Sequence, residues 1–424
     1  MSGQVASSGD VDLASVGVDD AAEHLTGLAG KRVLIVVENL PVPFDRRVWQ
    51  EARVLHAAGA QVCVICPKAK GFDASYECPE GIHVYRHPLY ADASSALGYL
   101  LEYGMALFWQ TVLAWRIFFT RGFDVLQVCN PPDLGFLLAL QFKLLGRRYI
   151  FDHHDINPEL FEAKFGRRGL LWSVVSWLEA INFRVADVTI ATNQSYRAIA
   201  MERGGKSADA VFVVRSAPDM ARTRIMPADP TLKRGRRFLV GYVGVMGEQE
   251  GVDLLLQAVH HIVRERGRDD IAFCLVGAGS SLDSLRKMAS ALGLDDTVTF
   301  TGRVSDDALF TMLSTADICV NPDRVTPMND LSTMNKVVEY MAFGKAQVQF
   351  DVKEGRVSAG PASLYARPND PVSFAAAILE LLDDEALRQR MGAAGQQRFR
   401  DELSWDRQKA PLIAAYRRAL DRAR

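Results

Sequence analysis

Lys31-Arg-Val-Leu-Ile-Val-Val-Glu38 is a continuous β-rich apolar run. A helical stretch from Arg46 to Ala58 follows it, and Gly59 stops that helix before a second apolar run, Gln61 to Pro67. A strand with one wet face alternates apolar and polar residues, whereas unbroken apolar runs separated by helices signal a parallel sheet covered on both faces. The pattern recurs at Phe123–Cys129, Arg148–Asp152, Val188–Ala191 and Val211–Val214. It breaks over a polar stretch from Ser216 to Arg237, which carries Pro218, Pro227, Pro230 and the cluster Lys233-Arg-Gly-Arg-Arg237. It then starts afresh at Phe238–Val243, Ala272–Val276, Val298–Phe300, Ile318–Val320 and Ala346–Phe350. The chain therefore reads as α/β, with two doubly wound, Rossmann-like domains. Residues 31–216 form the first, 217–237 a linker and 238–403 the second, and a helix over 404–424 packs back on the first. The length of 424 residues agrees with that count.

Charge narrows the partners. There are 49 basic and 51 acidic side chains, net −2, which lacks the positive footprint of a nucleic-acid binder. Residues 1–30 hold Asp10, Asp12, Asp19, Asp20 and Glu23 and no Lys or Arg, so this leader is −5 and the remainder +3. It has neither the basic n-region nor the apolar h-region of a signal peptide and reads as a disordered acidic tail on a cytoplasmic protein. The six cysteines lie mostly in apolar strand-like runs, as buried free thiols would in a reducing compartment. The Cys63/Cys66 spacing falls within a strand and has no second pair to complete a zinc site. The apolar segment Ala96–Thr120 is interrupted by Glu102, Gln110 and Arg116, each charge costing about 2.5–3.5 kcal/mol in mid-span, so it is not a membrane span. Core packing and membrane-surface contact both fit it, as they fit the mixture of Lys164, Arg167, Arg168, Trp172 and Trp177.

Ligands of open α/β sheets bind beyond the carboxyl ends of the strands. In Asn329-Asp-Leu-Ser-Thr-Met-Asn-Lys-Val-Val-Glu-Tyr-Met-Ala-Phe-Gly344 a run of capping residues opens a helix that Gly344 closes. Its free amides and positive dipole end suit a phosphate, Lys336 adds charge, and Glu339 lies one turn further along on the face of Asn335, placed to take ribose hydroxyls. An ordinary capped helix with a Lys336–Glu339 surface pair fits the local pattern equally. Gly241-Tyr-Val-Gly-Val-Met-Gly247 is a strand entering a glycine-rich loop, where Gly244 and Gly247 would let a backbone approach phosphate oxygens. Gly277-Ala-Gly279 lacks the third glycine of a dinucleotide fingerprint.

Taken in order, Gly-Tyr-Val-Gly at 241, Gly-Val-Asp-Leu-Leu-Leu at 251, Leu-Val-Gly-Ala-Gly at 275, Phe-Thr-Gly-Arg-Val at 300, Asn-Lys-Val-Val-Glu-Tyr-Met-Ala-Phe-Gly-Lys at 335 and Ala-Arg-Pro-Asn-Asp at 366 resemble the donor domain of family-four (group 1) glycosyltransferases of the GT-B fold. The similarity runs from about Lys31 to Arg424 and is nearest to the bacterial exopolysaccharide, capsule and O-antigen type. It implies two domains facing a central cleft, a nucleotide-sugar donor bound as substrate (a UDP-sugar), retention of configuration, and neither cofactor nor obligatory metal. It further implies a lipid-linked or oligosaccharide acceptor and a place beside the inner face of the cell membrane. By resemblance, Glu339 binds ribose, the amides of Ser332, Thr333, Met334 and Asn335 with Lys336 hold the diphosphate, and Gly244, Met246 and Gly247 line the donor. Arg303 and Val304 line the nucleobase. In Phe151-Asp-His-His-Asp-Ile156, His154 aligns with the histidine near the donor sugar, with Asp155 beside it. Adjacent side chains diverge on extended backbone, so His153 and His154 do not make a chelate.

Three positions depart from the family. Leu331 replaces the first glutamate of Glu-x7-Glu unless Asp330 substitutes, and Val245 and Glu250 replace the phosphate-clamping Arg and Lys. Donors aimed at a leaving group are usually the largest catalytic term, so Lys336, the amides from Ser332 onward, and Arg324 or Arg303 are expected to supply that charge. On the acceptor side Asp45, Arg46 and Arg47 open a helix facing the cleft, with Glu159 nearby. An anionic acceptor and salt pairs with Asp45 or Glu51 explain these arginines equally. A nucleotide-sugar 2-epimerase and a non-catalytic binder are the rival functions.

Overall fold

The computed structural model describes residues 27–88, 96–220 and 223–421; most of the acidic leader lies outside them. The first sheet comprises β1 (Arg32–Val36), β2 (Gln61–Pro67), β3 (Tyr76–Glu77), β4 (His83–His87), β5 (Val125–Cys129), β6 (Arg148–His153), β7 (Val188–Ala191) and β8 (Val211–Val213). Their spatial order is β3-β4-β2-β1-β5-β6-β7-β8, parallel except for β3. The second comprises β9 (Phe238–Val243), β10 (Ile271–Val276), β11 (Val298–Gly302), β12 (Ile318–Asn321), β13 (Gln347–Phe350) and β14 (Ser363–Ala366), all parallel in the order β11-β10-β9-β12-β13-β14. The order reverses direction between β1 and β5 and between β9 and β12, and crevices open at such switch points.

Each sheet is sandwiched by two apolar clusters, which is why its strands are apolar without alternation. Nine helices matter below: α1 (Arg46–Ala57), α2 (Ala96–Thr120), α3 (Gly135–Lys143), α4 (Asn157–Phe165), α5 (Leu170–Val185), α6 (Gln194–Glu202), α7 (Pro327–Leu331), α8 (Asn335–Ala342) and α9 (Trp405–Leu420). α9 lays Trp405, Leu412, Ile413 and Tyr416 into the same cluster as β1, β2 and α1, so the end of the chain completes the first domain's core.

β3, β4 and β14 are strands that apolar patterning does not reveal. His83-Val-Tyr-Arg-His87 carries polar residues inward because they have partners: buried Arg86 donates to Val42 O at 2.6 Å and pairs with Glu77. The stretch read as one helix up to Gly344 is instead α7, a break at Ser332–Met334, and α8. In the second domain the loops after β9 and β10 are clasped backbone to backbone, with Gly244 N donating to Val276 O at 3.1 Å and Met246 N to Ala278 O at 3.1 Å. Gly277 permits this, since at φ 138° a Cβ there would meet Gly244 O at 1.8 Å.

Candidate active site

Two cavities that share lining residues lie between the domains. The larger, about 510 Å³, is lined by His154, Asp155, Leu160 and Tyr196 from the first domain and by Gln249, Glu250 and Ser332–Asn335 from the second. The smaller, about 250 Å³, is lined by Phe44, Asp45, Arg46, Asp306, Asn335 and Glu339 among others. Arg47, Ser216 and Asn335 border both.

His154 follows β6 and is held at its backbone by Asn130 Oδ1, which accepts from His154 N at 2.6 Å and Asp155 N at 3.2 Å. Its Nε2 stands 2.8 Å from Asp152 Oδ2 and 2.9 Å from Arg47 Nε. Neutral, that nitrogen accepts from the arginine; protonated, it donates to the carboxylate. Burial opposes the charge, but the Asp152 carboxylate outweighs it and raises the ring's pKa above its ordinary value. Asp152 is itself fully buried, yet Arg47 and His154 hold it well below the carboxylate range. Behind it Gln127 Nε2 donates to Asp152 Oδ2 at 2.8 Å and to Glu51 Oε2 at 2.7 Å, and Tyr416 of α9 donates to Gln127 Oε1. The Asp155 carboxyl is raised by burial, with His154 and His153 opposing, and it borders the larger cavity.

Across the cavity, Met334 at the head of α8 offers no side-chain cap, so the first amides of the helix, at Asn335 and Lys336, have no intrahelical acceptor. The Ser332–Met334 break is pinned to the first domain. Asn193, the N-cap of α6, donates to Leu331 O and Thr333 Oγ1 at 2.9 Å each, and Tyr196 Oη lies 3.1 Å from Ser332 Oγ. Glu339 borders the smaller cavity without a protein hydrogen-bond partner among the described residues. Burial raises its carboxyl, with Arg46 opposing.

Several residues read as ligand-binding have other duties. Arg47, which borders both cavities, also donates to Val214 O (2.9 Å), Ser216 Oγ (3.2 Å) and Asp152 Oδ1 (3.0 Å) and pairs with Glu51 at 3.2 Å. Asp45 caps α1 by accepting from Val48 N at 3.1 Å, Arg46 bridges to Asp306 at 2.6 Å across the cleft, and Glu159 is forked by Arg203. Lys336 pairs with neither Glu339 nor open cavity; it is buried, 2.9 Å from Asp323 and bonded to Glu250. Burial works against its charge, but Asp323, Tyr242 and Glu250 outweigh it. Met246 is fully buried in the second core with its N–H and C=O engaged, and Gly244 N–H is likewise taken. A Cβ at Gly244 would crowd Tyr242 Oη and Lys336 Cε, so this glycine makes room for the lysine. Gly247 is buried at the turn before Glu248. Arg303 stacks its guanidinium 5.6 Å from the ring of Phe44, and Val304 is exposed beside it. Arg324 is tied to Asp253, and Asp330 accepts from Lys353 N at 2.7 Å. Leu331 packs on the first domain's core.

Asn130, Gln127, Asp323 and Tyr416 escaped the motif reading, because only the fold brings them to the site. Asp152 lies in the Phe151–Ile156 segment, where spacing alone does not distinguish its role from that of Asp155. His153 is fully buried, 3.2 Å from Glu179 and ringed by Phe151, Phe183 and Tyr196. Cys129, Asp152 and His154 place ligand atoms within 4.8 Å of one another. They do not fit a metal ion, since Arg47 already holds Asp152 and burial keeps the Cys129 thiol protonated, well above its ordinary pKa.

Two parallel-sheet domains meeting at the carboxyl ends of their strands, with ligand-sized cavities between them, define the GT-B class. Residues 45–215 match the profile described as glycosyl transferase 4-like domain and residues 237–384 that of glycosyl transferases group 1. The chain belongs to this glycosyltransferase family. It is 25% identical over 316 residues to 2-deoxystreptamine glucosyltransferase of Streptomyces kanamyceticus, covering 71% of this chain and 79% of that one. The chain spans between 39% and 79% of the length of the first curated relatives it matches. Among solved structures, sucrose-phosphate synthase from Thermosynechococcus elongatus superposes with TM-score 0.74 at 17% identity, covering 91% of this chain and 98% of that one. Anabaena HepE in complex with UDP-glucose does so with TM-score 0.68 at 16% identity, covering 89% and 98%.

Proposed function

We propose that this protein transfers a sugar from a nucleotide-sugar donor, a UDP-sugar, to a lipid-linked saccharide in surface-polysaccharide assembly, with retention of configuration and without a metal ion. One juxtaposition carries the reading: His154 and Asp155 face the uncapped start of α8 across a cavity that shares Arg47, Ser216 and Asn335 with the one that Glu339 borders. The nucleoside fits the smaller cavity, with ribose hydroxyls on the Glu339 carboxylate, and the diphosphate lies at Asn335, which borders both. As the sugar–phosphate bond breaks, negative charge grows on the leaving group, where the amides at the head of α8 lower its energy, while His154 contacts the sugar. The acceptor hydroxyl enters on the same face, and the departing phosphate oxygen takes its proton. The UDP preference draws on the HepE complex with UDP-glucose, and the surface-polysaccharide role on the Ser332-Thr-Met-Asn-Lys336 pattern.

Thermal shift against a panel of nucleotide sugars tests the donor. At one hundred times its dissociation constant a UDP-sugar stabilises by about 2.7 kcal/mol. Glu339→Ala abolishes that shift, and an unchanged shift would refute the ribose assignment. Transfer measured in excess EDTA proceeds at the untreated rate; loss restored by a divalent cation would overturn the metal-free mechanism. The Asp155 carboxyl beside the cavity keeps one rival in view, a 2-epimerase: UDP-GlcNAc incubated alone would then return its epimer.

A further inference from the structure

α2, α3 and α5 lie side by side on one face of the first sheet, α3 contacting both its neighbours. The inner side of α2 buries Ala106, Gln110, Ala114 and Ile117. Its outer side is apolar too: Leu101, Met105, Phe108, Val112 and Phe119 recur at helical spacing and stand 39–77% exposed. Leu140 and Leu144 continue the surface from the end of α3, and Leu170, Val174 and Trp177, also at helical spacing, extend it along α5. An array this wide exceeds the scattered apolar residues of an ordinary soluble surface and marks an interaction site. None of the described helices is long and apolar enough to cross a membrane.

Charge selects the partner. Arg116 on the outer side of α2, Arg184 on the same face of α5 as Trp177, and Lys164, Arg167 and Arg168 in the α4–α5 turn are all exposed; Glu162, the acidic residue beside that turn, is paired to Arg168. Basic side chains among exposed Phe, Trp and Leu suit an anionic lipid surface, where apolar tips enter the acyl boundary and cations meet headgroups. The array also reaches the cleft, for Leu160 of α4 is exposed and borders the cavity of His154 and Asp155. We infer that the α2–α3–α5 face docks on an anionic bilayer, which would bring a lipid-linked acceptor to the cavity mouth. The second clause rests on the function proposed above; the docking does not.

The test is co-sedimentation of the full chain with vesicles of phosphatidylglycerol and phosphatidylcholine, or of phosphatidylcholine alone. The expected result is binding to the anionic vesicles that weakens as salt rises. Phe108→Glu with Val112→Glu lowers the partition about tenfold or more, since each change removes a large apolar contact. Val357→Glu, at an exposed apolar position of the donor domain, leaves it unchanged. Unaltered melting temperature and UDP-sugar shift in each variant keep loss of docking distinct from misfolding and from failure of the donor assignment. Absence of wild-type binding, equal binding by the double variant, or a stable dimer in solution that the double variant dissociates would overturn the inference.

Discussion

The Arg47 guanidinium donates to His154, Val214, Ser216 and Asp152 and pairs with Glu51. It fixes the pair that matters, Asp152 and His154, and that pair sets the charge of the histidine at the cavity. Asp152→Asn preserves the shape and removes the charge. Breaking a buried pair costs about 3–5 kcal/mol, and His154 then titrates below its present position. Denaturant unfolding and NMR titration of the imidazole would read both, and an unmoved imidazole pKa would refute the coupling. Lys336 and Glu250 make the other instructive pair. An acid at the position of the family's clamping lysine looks like a defect in the sequence. In three dimensions Lys336 from α8 pairs with it, so the acid is met by a lysine from a distant element.

At the scale of elements, the loops after β6, β9 and β12 and the head of α8 assemble the site, while α9 supports it from behind. Tyr416 reaches through the first core to Gln127, which in turn bonds Glu51 and Asp152. Tyr416→Phe leaves Gln127 Oε1 buried without its donor and should cost about 1–3 kcal/mol in urea unfolding. A variant as stable as the wild type would mean that the terminal helix contributes packing alone. Apolar runs made eleven of the thirteen longer strands legible because most of them are buried on both faces. β4 was hidden by arginine and histidine whose partners lie on other elements, and the break before α8 by residues that also suit a helix cap.

For the whole molecule, buried carboxyls set the pH response. Burial raises Glu38 and Glu51 to about 8 and Asp133 and Asp323 to about 7. A carboxyl whose folded pKa exceeds its unfolded one binds more protons in the native state, so stability is lost as pH rises through the folded value. His154, also raised, is stabilising below the unfolded histidine pKa and loses that contribution as pH rises through its folded one. His83 and His87, which burial lowers, oppose this only on the acid side of about pH 6.5. The melting temperature is therefore expected to fall between about pH 6.5 and 8; a rise across that window in scanning calorimetry would refute the assignment.

By itself, the sequence determined two doubly wound α/β sheets and marked Ser332–Glu339 as a candidate donor segment, because burial on both faces and helix-terminus chemistry leave local marks in the order of residues. The tertiary structure alone decided which charges remain for ligands. Distant partners, brought near only by folding, engage Arg47, Glu159 and Lys336, while Asn335, Glu339, His154 and Asp155, together with Arg47, border the cavities. Coulombic and hydrogen-bond energies depend on separation in space, and separation along the chain does not report it.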